Sequence, residues 1–403
     1  MKKTLLIFFI IHYSFFIALA QDEKPKIFEF TGYVKEMPAF YVLQNEIPIS
    51  VTENMKRTWY NLVHNRLNLS INPFKDFKIN VGMRNRFLCG DMLKKIPPYA
   101  DVLAVDNGLV DLSWNVLNKN GFVLNSSFDR AYLDYTFRNV QVKIGRQRIN
   151  WGIGLVWNPN DIFNAFSYID FDYEERPGSD AVSVTWYKSA TSSFDFVGKI
   201  NKNPLDSSLQ STIAARYLFN VKSYDFQFLG GKFNNDFVGG FGWSGAIKNV
   251  SFRGEMSLFT PIVERNINKT TAFAATVEAD YTFSNSFYLH GAMLFNSLGK
   301  LNSSEGMNLF ATQNDLSAKK LSYGKFEIFS QATYPVSLIF SVGLAAMLNP
   351  ADLSAYVSPT LTVSLHDNLE LALVSQLLLG KTATEYAALG NVYAGFARLK
   401  WNF

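Results

Sequence analysis

After its first 20 residues the chain consists of segments in which apolar and polar residues alternate, and the links between those segments alternate too, one short and the next long. Phe273, Ala275, Val277, Ala279, Tyr281 and Phe283 interleave with Thr276, Glu278, Asp280 and Thr282. After "SNS" the pattern resumes with Phe287, Leu289, Gly291, Met293 and Phe295. Successive side chains of an extended strand point to opposite faces, so each segment reads as a strand with one apolar face, and the polar link makes the pair a hairpin. Residues 213–219, 224–228, 250–258, 336–346 and 369–379 read the same way. So does the end of the chain, where Tyr393, Gly395, Ala397, Leu399, Trp401 and Phe403 share a face opposite Arg398, Lys400 and Asn402.

Counted back from the C-terminus, "HDN", "TYP", "SNS", "KN", "NVKS", "SATSS", "RN" and "NPFKD" are short links at every second position. The links between them, around residues 381–389, 348–353, 298–320, 260–270, 202–209, 151–179, 89–128 and 37–56, are mostly longer, with "NND" at 234–236 as an exception. Short turns then lie at one end and long loops at the other. That asymmetry belongs to a transmembrane antiparallel β-barrel with short periplasmic turns and long extracellular loops. Residues 108–117 taken as a strand would break the alternation; taken as loop, they leave about 18 strands, with 16 as the alternative, an even number that brings both termini to the periplasmic side. The expected fold is an all-β barrel over residues 21–403. A soluble sandwich or propeller competes poorly, because loops beyond ~15 residues are uncommon in compact domains and the apolar strand faces would need covering.

The first 20 residues, "MKKTLLIFFIIHYSFFIALA", have two lysines, an apolar run and a small-x-small ending at Ala18 and Ala20, which reads as a cleaved signal peptide rather than a membrane anchor. Beyond them no apolar run approaches the ~20 residues of a membrane helix. Phe (36) and Tyr (19) favour strands, while charged residues make up 18 %. One cysteine, Cys89, excludes a disulfide framework; with four histidines, one of them His12 in the leader, neither a metal site nor a cofactor is expected. A net charge of +4 that includes the leader lysines gives no reason to expect nucleic acid as a partner.

The stretch "DRAYLDYTFRNVQVKIGRQRINWGIGLVWNPNDIFNAF" (129–166) resembles outer-membrane porins of the alginate-export type and their uncharacterised relatives. The resemblance rests on Gly145, Arg146 and Gln147 leading to Trp151, Gly152, Gly154, Asn158, Pro159 and Asp161. It implies a porin-like channel in the outer membrane of a Gram-negative bacterium and leaves the solute open.

Assigning polar strand faces to a lumen puts Arg66, Lys78, Arg84, Arg86, Arg130 and Lys143 on one wall, joined by Arg146 and Arg148 if a bulge near Gly145 shifts the phase. Glu255, Glu278, Asp280 and Glu327 point inward opposite, and the 151–179 loop adds Asp161, Asp170, Asp172, Glu174 and Glu175. Opposed rows of charge would set a field across a narrow pore; the bland alternative is paired charges that keep the lumen wet. Trp157, Phe163, Phe166 and Tyr168 make that loop too apolar to stay in water, so it is expected to fold inward as a constriction, with packing on the rim or on a partner as the alternative.

Passive passage of small polar or anionic solutes follows; the rival reading is a non-conducting barrel for secretion, assembly or surface attachment. Catalysis is not expected. Ser364 and His366 share a face but lack a third member, and "SLGKL" (297–301) lacks a phosphate loop's glycines. Expected partners are outer-membrane lipid and lipopolysaccharide, the solute, and the barrel-assembly machinery reading a terminal signal of Tyr393, Leu399, Trp401 and Phe403. The oligomeric state stays open.

Overall fold

The computed structural model describes residues 27–48, 54–96, 98–164, 168–170, 176–203, 207–262, 270–301 and 317–403, so the expected leader lies outside them. β1 (Phe28–Pro48), β2 (Asn54–Phe74) and β3 (Phe77–Gly90) open the sheet. A long connection carries α1 (Asp91–Lys95), α2 (Tyr99–Ala104) and β4 (Ser113–Lys119). The meander resumes with β5 (Phe122–Phe137), β6 (Val140–Gln147), β7 (Ser179–Ser189), β8 (Ser192–Lys202), β9 (Leu209–Val221) and β10 (Tyr224–Phe233). Next come β11 (Asp236–Ile247), β12 (Val250–Pro261), β13 (Ala272–Thr282) and β14 (Tyr288–Asn296). The last are β15 (Phe326–Pro335), β16 (Phe340–Asn349), β17 (Ser354–His366), β18 (Leu369–Leu379) and β19 (Val392–Asn402).

Sequential strands pair antiparallel, and β19 returns to β1, in register from Leu43 with Val392 to Tyr33 with Asn402. The sheet is therefore a closed barrel, without the unpaired edges that invite aggregation. Of its 19 strands, 18 form the ring. The exception is β4: β3 pairs directly with β5, while β4 lies on β5's other side opposite residues 122–127, end to end with β6, which pairs with residues 131–137. Residues expected as loop there are partly strand, yet the alternation of links survives because β4 belongs to the long connection. A second difference is at 37–56. β1 and β2 each run 21 residues, and only residues 49–53 join them, because Met37, Ala39, Tyr41 and Leu43 continue the inward period. Cys89, expected in a loop, is in β3.

Tight turns close the other end. Lys222 and Ser223 both adopt positive φ (50° and 67°), the two-residue geometry whose twist matches antiparallel strands. The outer face is apolar, with Phe196, Ile213, Phe228, Phe237, Met293 and Leu373 exposed. Near the turn end, rings stack across β7 to β11: Trp186 on Phe194 (5.6 Å), Phe194 on Tyr217 (4.3 Å), Phe219 on Phe226 (5.7 Å) and Phe226 on Phe241 (6.2 Å). Such a girdle marks where a barrel meets a membrane interface. Among the described residues no helix is long and apolar enough to cross a membrane.

Inside, apolar packing is concentrated where the connections fold in. Met92, Leu93 and Ala100 of the α1–α2 segment pack on Met37, Tyr60, Leu88 and Phe396, while Trp157 and Tyr386 share a cluster with Phe329, Met347 and Tyr356.

Candidate functional site

Between β6 and β7 the chain leaves the wall and enters the lumen. Ile149, Trp151, Ile162 and Phe163 pack against Ala181, Val197, Ala214, Leu229 and Phe259, inward residues of the wall, several of them small enough to admit the loop. Trp151 meets Phe163 edge-on at 4.9 Å, and Tyr168 meets Phe329 at 4.7 Å. A loop crossing a lumen must still satisfy its backbone N–H groups, and two wall carboxylates do so. Glu255 accepts from Ile153, Gly154 (2.6 Å) and Asn160 (2.9 Å); Glu278 accepts from Leu155 (2.8 Å) and Val156 (3.2 Å). Gln227 donates to the Trp151 carbonyl at 2.8 Å, and Arg216, paired with Asp195 at 2.6 Å, lies over the Trp151 ring.

The acids therefore occupy a different place from the expected one. Glu255 and Glu278 face inward, but they are buried under the loop they hold. Glu327 accepts from the Tyr386 hydroxyl (2.8 Å) and contacts Ser322 Oγ, against an inserted stretch of the 380–391 connection. Asp280 pairs with Arg253 across the strand, and Asp161 is buried within the loop beside Arg176 at 2.8 Å. Asp170 is half-buried in the same loop, whereas Asp172, Glu174, Glu175 and Phe166 lie outside the described residues. Sequence parity gave the strand faces of these acids; it could not show that a loop would cover them.

Burial pushes the Asp161 carboxyl up to about 6 although the Arg176 guanidinium opposes the shift. A raised native value means the folded loop keeps a proton that an open loop releases. Its contribution is complete below the open-state value near 3.8 and is lost as pH rises through about 6. Native-state hydrogen exchange of residues 149–164, corrected for intrinsic rates, should show opening to be rarer at pH 5 than at pH 7.5, and Asp161→Asn should weaken that dependence. Equal opening at both pH values would show that Asp161 stays ionised in the fold.

The basic residues form a lumen row. Arg66, Arg84 and Arg86 alternate inward on β2 and β3, with Arg86 donating to Asn125 at 2.8 Å and to the Leu103 carbonyl at 2.9 Å. A register shift in β5, where Gly82 faces Arg130 and Met83 faces Phe128, leaves Asp129 as an extra residue. That bulge turns both Asp129 and Arg130 inward, and Asp129 pairs with Arg66 at 2.6 Å. Lys78 is exposed near the turn end, and Lys143 stands 3.7 Å from Asp134. The wall takes in residues that sequence reasoning did not assign to it: Lys35 on β1, next to the strand of Arg66, and, through closure, Arg398 and Lys400 on β19. Parity on β1 and β19 was the signal that could have found them.

Arg146 and Arg148 depart from expectation. β5 and β6 pair in unbroken register through Gly145, so no bulge shifts the phase, and Arg146 shares the outward face of Ile144. Arg148 lies past the end of β6, exposed at the root of the inserted loop. Ser364 Oγ donates to the His366 carbonyl at 3.2 Å while the His366 ring meets Asn368 Oδ1 at 3.1 Å, so hydroxyl and ring do not address each other. Tyr393, Leu399 and Trp401 face outward with exposed rings or methyls, and Phe403 follows them.

A closed antiparallel ring of 18 strands is also found in solved structures of Occ and OprD-type outer-membrane porins. Acinetobacter baumannii OccAB4 superposes with a TM-score of 0.56 at 9 % identity, covering 94 % of this chain and 100 % of that one. Pseudomonas aeruginosa OccK9 gives 0.58 at 10 % identity over 93 % and 98 % of the two chains, and OccD3 of the same organism 0.54 at 8 % over 93 % and 91 %. The fold is that of these porins. No protein-family model matches the chain, and no curated protein does. The resemblance to alginate-export porins rests on the 129–166 motif alone.

Proposed function

We propose that the protein is an outer-membrane porin that passes small anionic or polar solutes passively through a bore narrowed by residues 151–179. The observation that carries this reading is the row of cationic side chains on the lumen face of β19, β1, β2, β3, β5 and β6, namely Arg398, Lys400, Lys35, Arg66, Arg84, Arg86, Arg130 and Lys143, while Glu255, Glu278 and Asp161 are turned into loop anchors. Along this wall Asp129 pairs with Arg66, Asp134 with Lys143 and Glu370 with Arg398, so the cations outnumber the acids beside them, and that excess presents a positive field to the bore. At an effective dielectric near ~20, one charge ~4 Å from a solute carboxylate contributes about 4 kcal/mol before screening, and salt reduces it. The apolar outer face and aromatic girdle support insertion in an outer membrane, with lipid and lipopolysaccharide around it.

Purified protein in a planar bilayer under a salt gradient tests the reading. Open channels with an anion-side reversal potential are expected, and Arg84→Gln with Arg86→Gln should move that potential toward cations while leaving a heat-modifiable barrel. Open channels whose reversal potential ignores both substitutions would remove the anionic part of the reading. A second reading, a closed barrel that works through its loops, is favoured by the burial of Lys35, Arg66 and Arg84, at 0 %, 4 % and 7 % exposure. Absence of any conductance from folded protein would select it.

A further inference from the structure

Two strands of the ring stop short at the loop end. β6 ends at Gln147 and β7 starts at Ser179, because between them the chain dives into the lumen, while β5 and β8 on either side continue to Phe122 and Lys202. Left alone, this notch would expose unpaired backbone groups of β5 and β8. The end of the preceding long connection fills it. β4 pairs along β5 from Lys119 with Phe122 to Ser113 with Ser127, and the Leu112 carbonyl then accepts from Phe128 N–H at 2.9 Å. At the other edge Gly108 bridges Asn201, and the Asn107 carbonyl accepts from Lys202 N–H at 2.8 Å.

Arg146 lies beneath this patch and binds everything around it. Its guanidinium grips Asp180 with two donors, at 2.7 and 2.8 Å, reaches Asp106 at 2.5 Å, and donates to the Val110 carbonyl at 2.6 Å. Asp106 in turn accepts from Gly108 and Leu112 N–H at 2.8 Å each, and Asp180 accepts from Val110 N–H at 3.1 Å. Position 108 has room only for glycine, since a Cβ there would collide with the Arg146 guanidinium. Arg146 and Asp180 are also cross-strand partners, one residue inside the two roots of the inserted loop.

We infer that Arg146 is a positioning residue, the keystone of a wall patch through which residues 105–112 fix the roots of the inserted loop and hence the bore. The effect on the bore rests on the porin reading above; the coupling between patch and loop does not. A planar guanidinium suits this role because it can hold two carboxylates and a carbonyl at once, which a lysine cannot do in one geometry.

The test compares wild type, Arg146→Gln, Arg146→Lys and Asp106→Asn by hydrogen exchange in detergent and by single-channel recording. In Arg146→Gln the amides of 107–112 and of 153–156 should exchange faster together, by about tenfold or more, with strands β13 to β18 unchanged. Asp106→Asn, which leaves the Arg146–Asp180 grip, should loosen 107–112 more than 153–156, and Arg146→Lys should fall between wild type and Arg146→Gln. Channel steps should become larger and noisier in Arg146→Gln while the reversal potential stays put, since this side chain faces away from the bore. Faster exchange confined to 107–112 would overturn the coupling, and a reversal-potential shift like that of the Arg84 and Arg86 pair would return Arg146 to the pore. If wild type conducts nothing, the porin reading fails while the exchange pattern still decides the keystone.

Discussion

Replacing Glu255 and Glu278 together by glutamine should raise the single-channel conductance several-fold, the largest functional change expected from any two side chains in the lumen. The two carboxylates accept from five backbone N–H groups of the inserted loop, those of Ile153, Gly154, Leu155, Val156 and Asn160. A hydrogen bond contributes roughly 0.5–1.5 kcal/mol net, and a buried donor left without its acceptor costs about 1–3 kcal/mol. A glutamine offers one oxygen and turns an NH2 group toward the remaining donors, so the loss includes repulsion as well as absent bonds. Even with strong non-additivity the change is several kcal/mol in a segment that has to beat its own ordering entropy to stay inside. The barrel itself should survive, because the strands are held by their own ladders; heat-modifiable migration on a gel checks this. Unchanged conductance in a folded double variant would mean that Trp151, Trp157 and Phe163 hold the loop by apolar packing alone.

The ring was readable in the sequence because every strand repeats a local rule. Alternation assigns each side chain to a face, and link length assigns each turn to an end, without reference to distant residues. The errors arose where a local rule was overridden at long range. Alternation puts Arg146 in the lumen only with a bulge at Gly145, yet the bulge lies across the ladder at Asp129, where "DR" puts two adjacent charges on a strand that alternates elsewhere. β4 stands outside the alternation of links because its ladder is with β5 above a strand that ends early. The inward insertion of residues 151–164 was readable from its aromatics. Its anchoring was not, since Glu255 and Glu278 are about a hundred residues away and bind backbone, which carries no sequence signal. Arg398 and Lys400 join the basic wall only once the chain closes and makes its two ends neighbours, whereas Lys35 joins it through the β1–β2 hairpin.

That closure is where the second large effect is expected: deletion of Phe403 should strongly reduce the amount of barrel assembled in the outer membrane. At the seam, Phe403 N–H donates to the Gly32 carbonyl and Gly32 N–H to the Phe403 carbonyl, both at 2.9 Å, so the final residue completes the β19–β1 ladder. Its ring lies 5.2 Å from Trp401 and 6.0 Å from Phe30, and it covers Gly32, where a Cβ would sit 2.8 Å from the ring's Cζ and collide with the Arg66 carbonyl. A ring closes only when its last strand finds its first, so the two bonds and the apolar cover act at the step on which the rest of the ladder depends. Phe403→Tyr should assemble nearly normally, because it keeps ring and backbone, whereas Phe403→Asp keeps the backbone bonds and places a charge on the outward apolar face. Gly32→Val should fail as well, by displacing the ring from the other side. The measurement is the heat-modifiable fraction in outer-membrane preparations. If Phe403→Asp accumulated like wild type while Gly32→Val did not, the seam would depend on the backbone ladder and close packing at Gly32, and the terminal aromatic would carry no assembly signal.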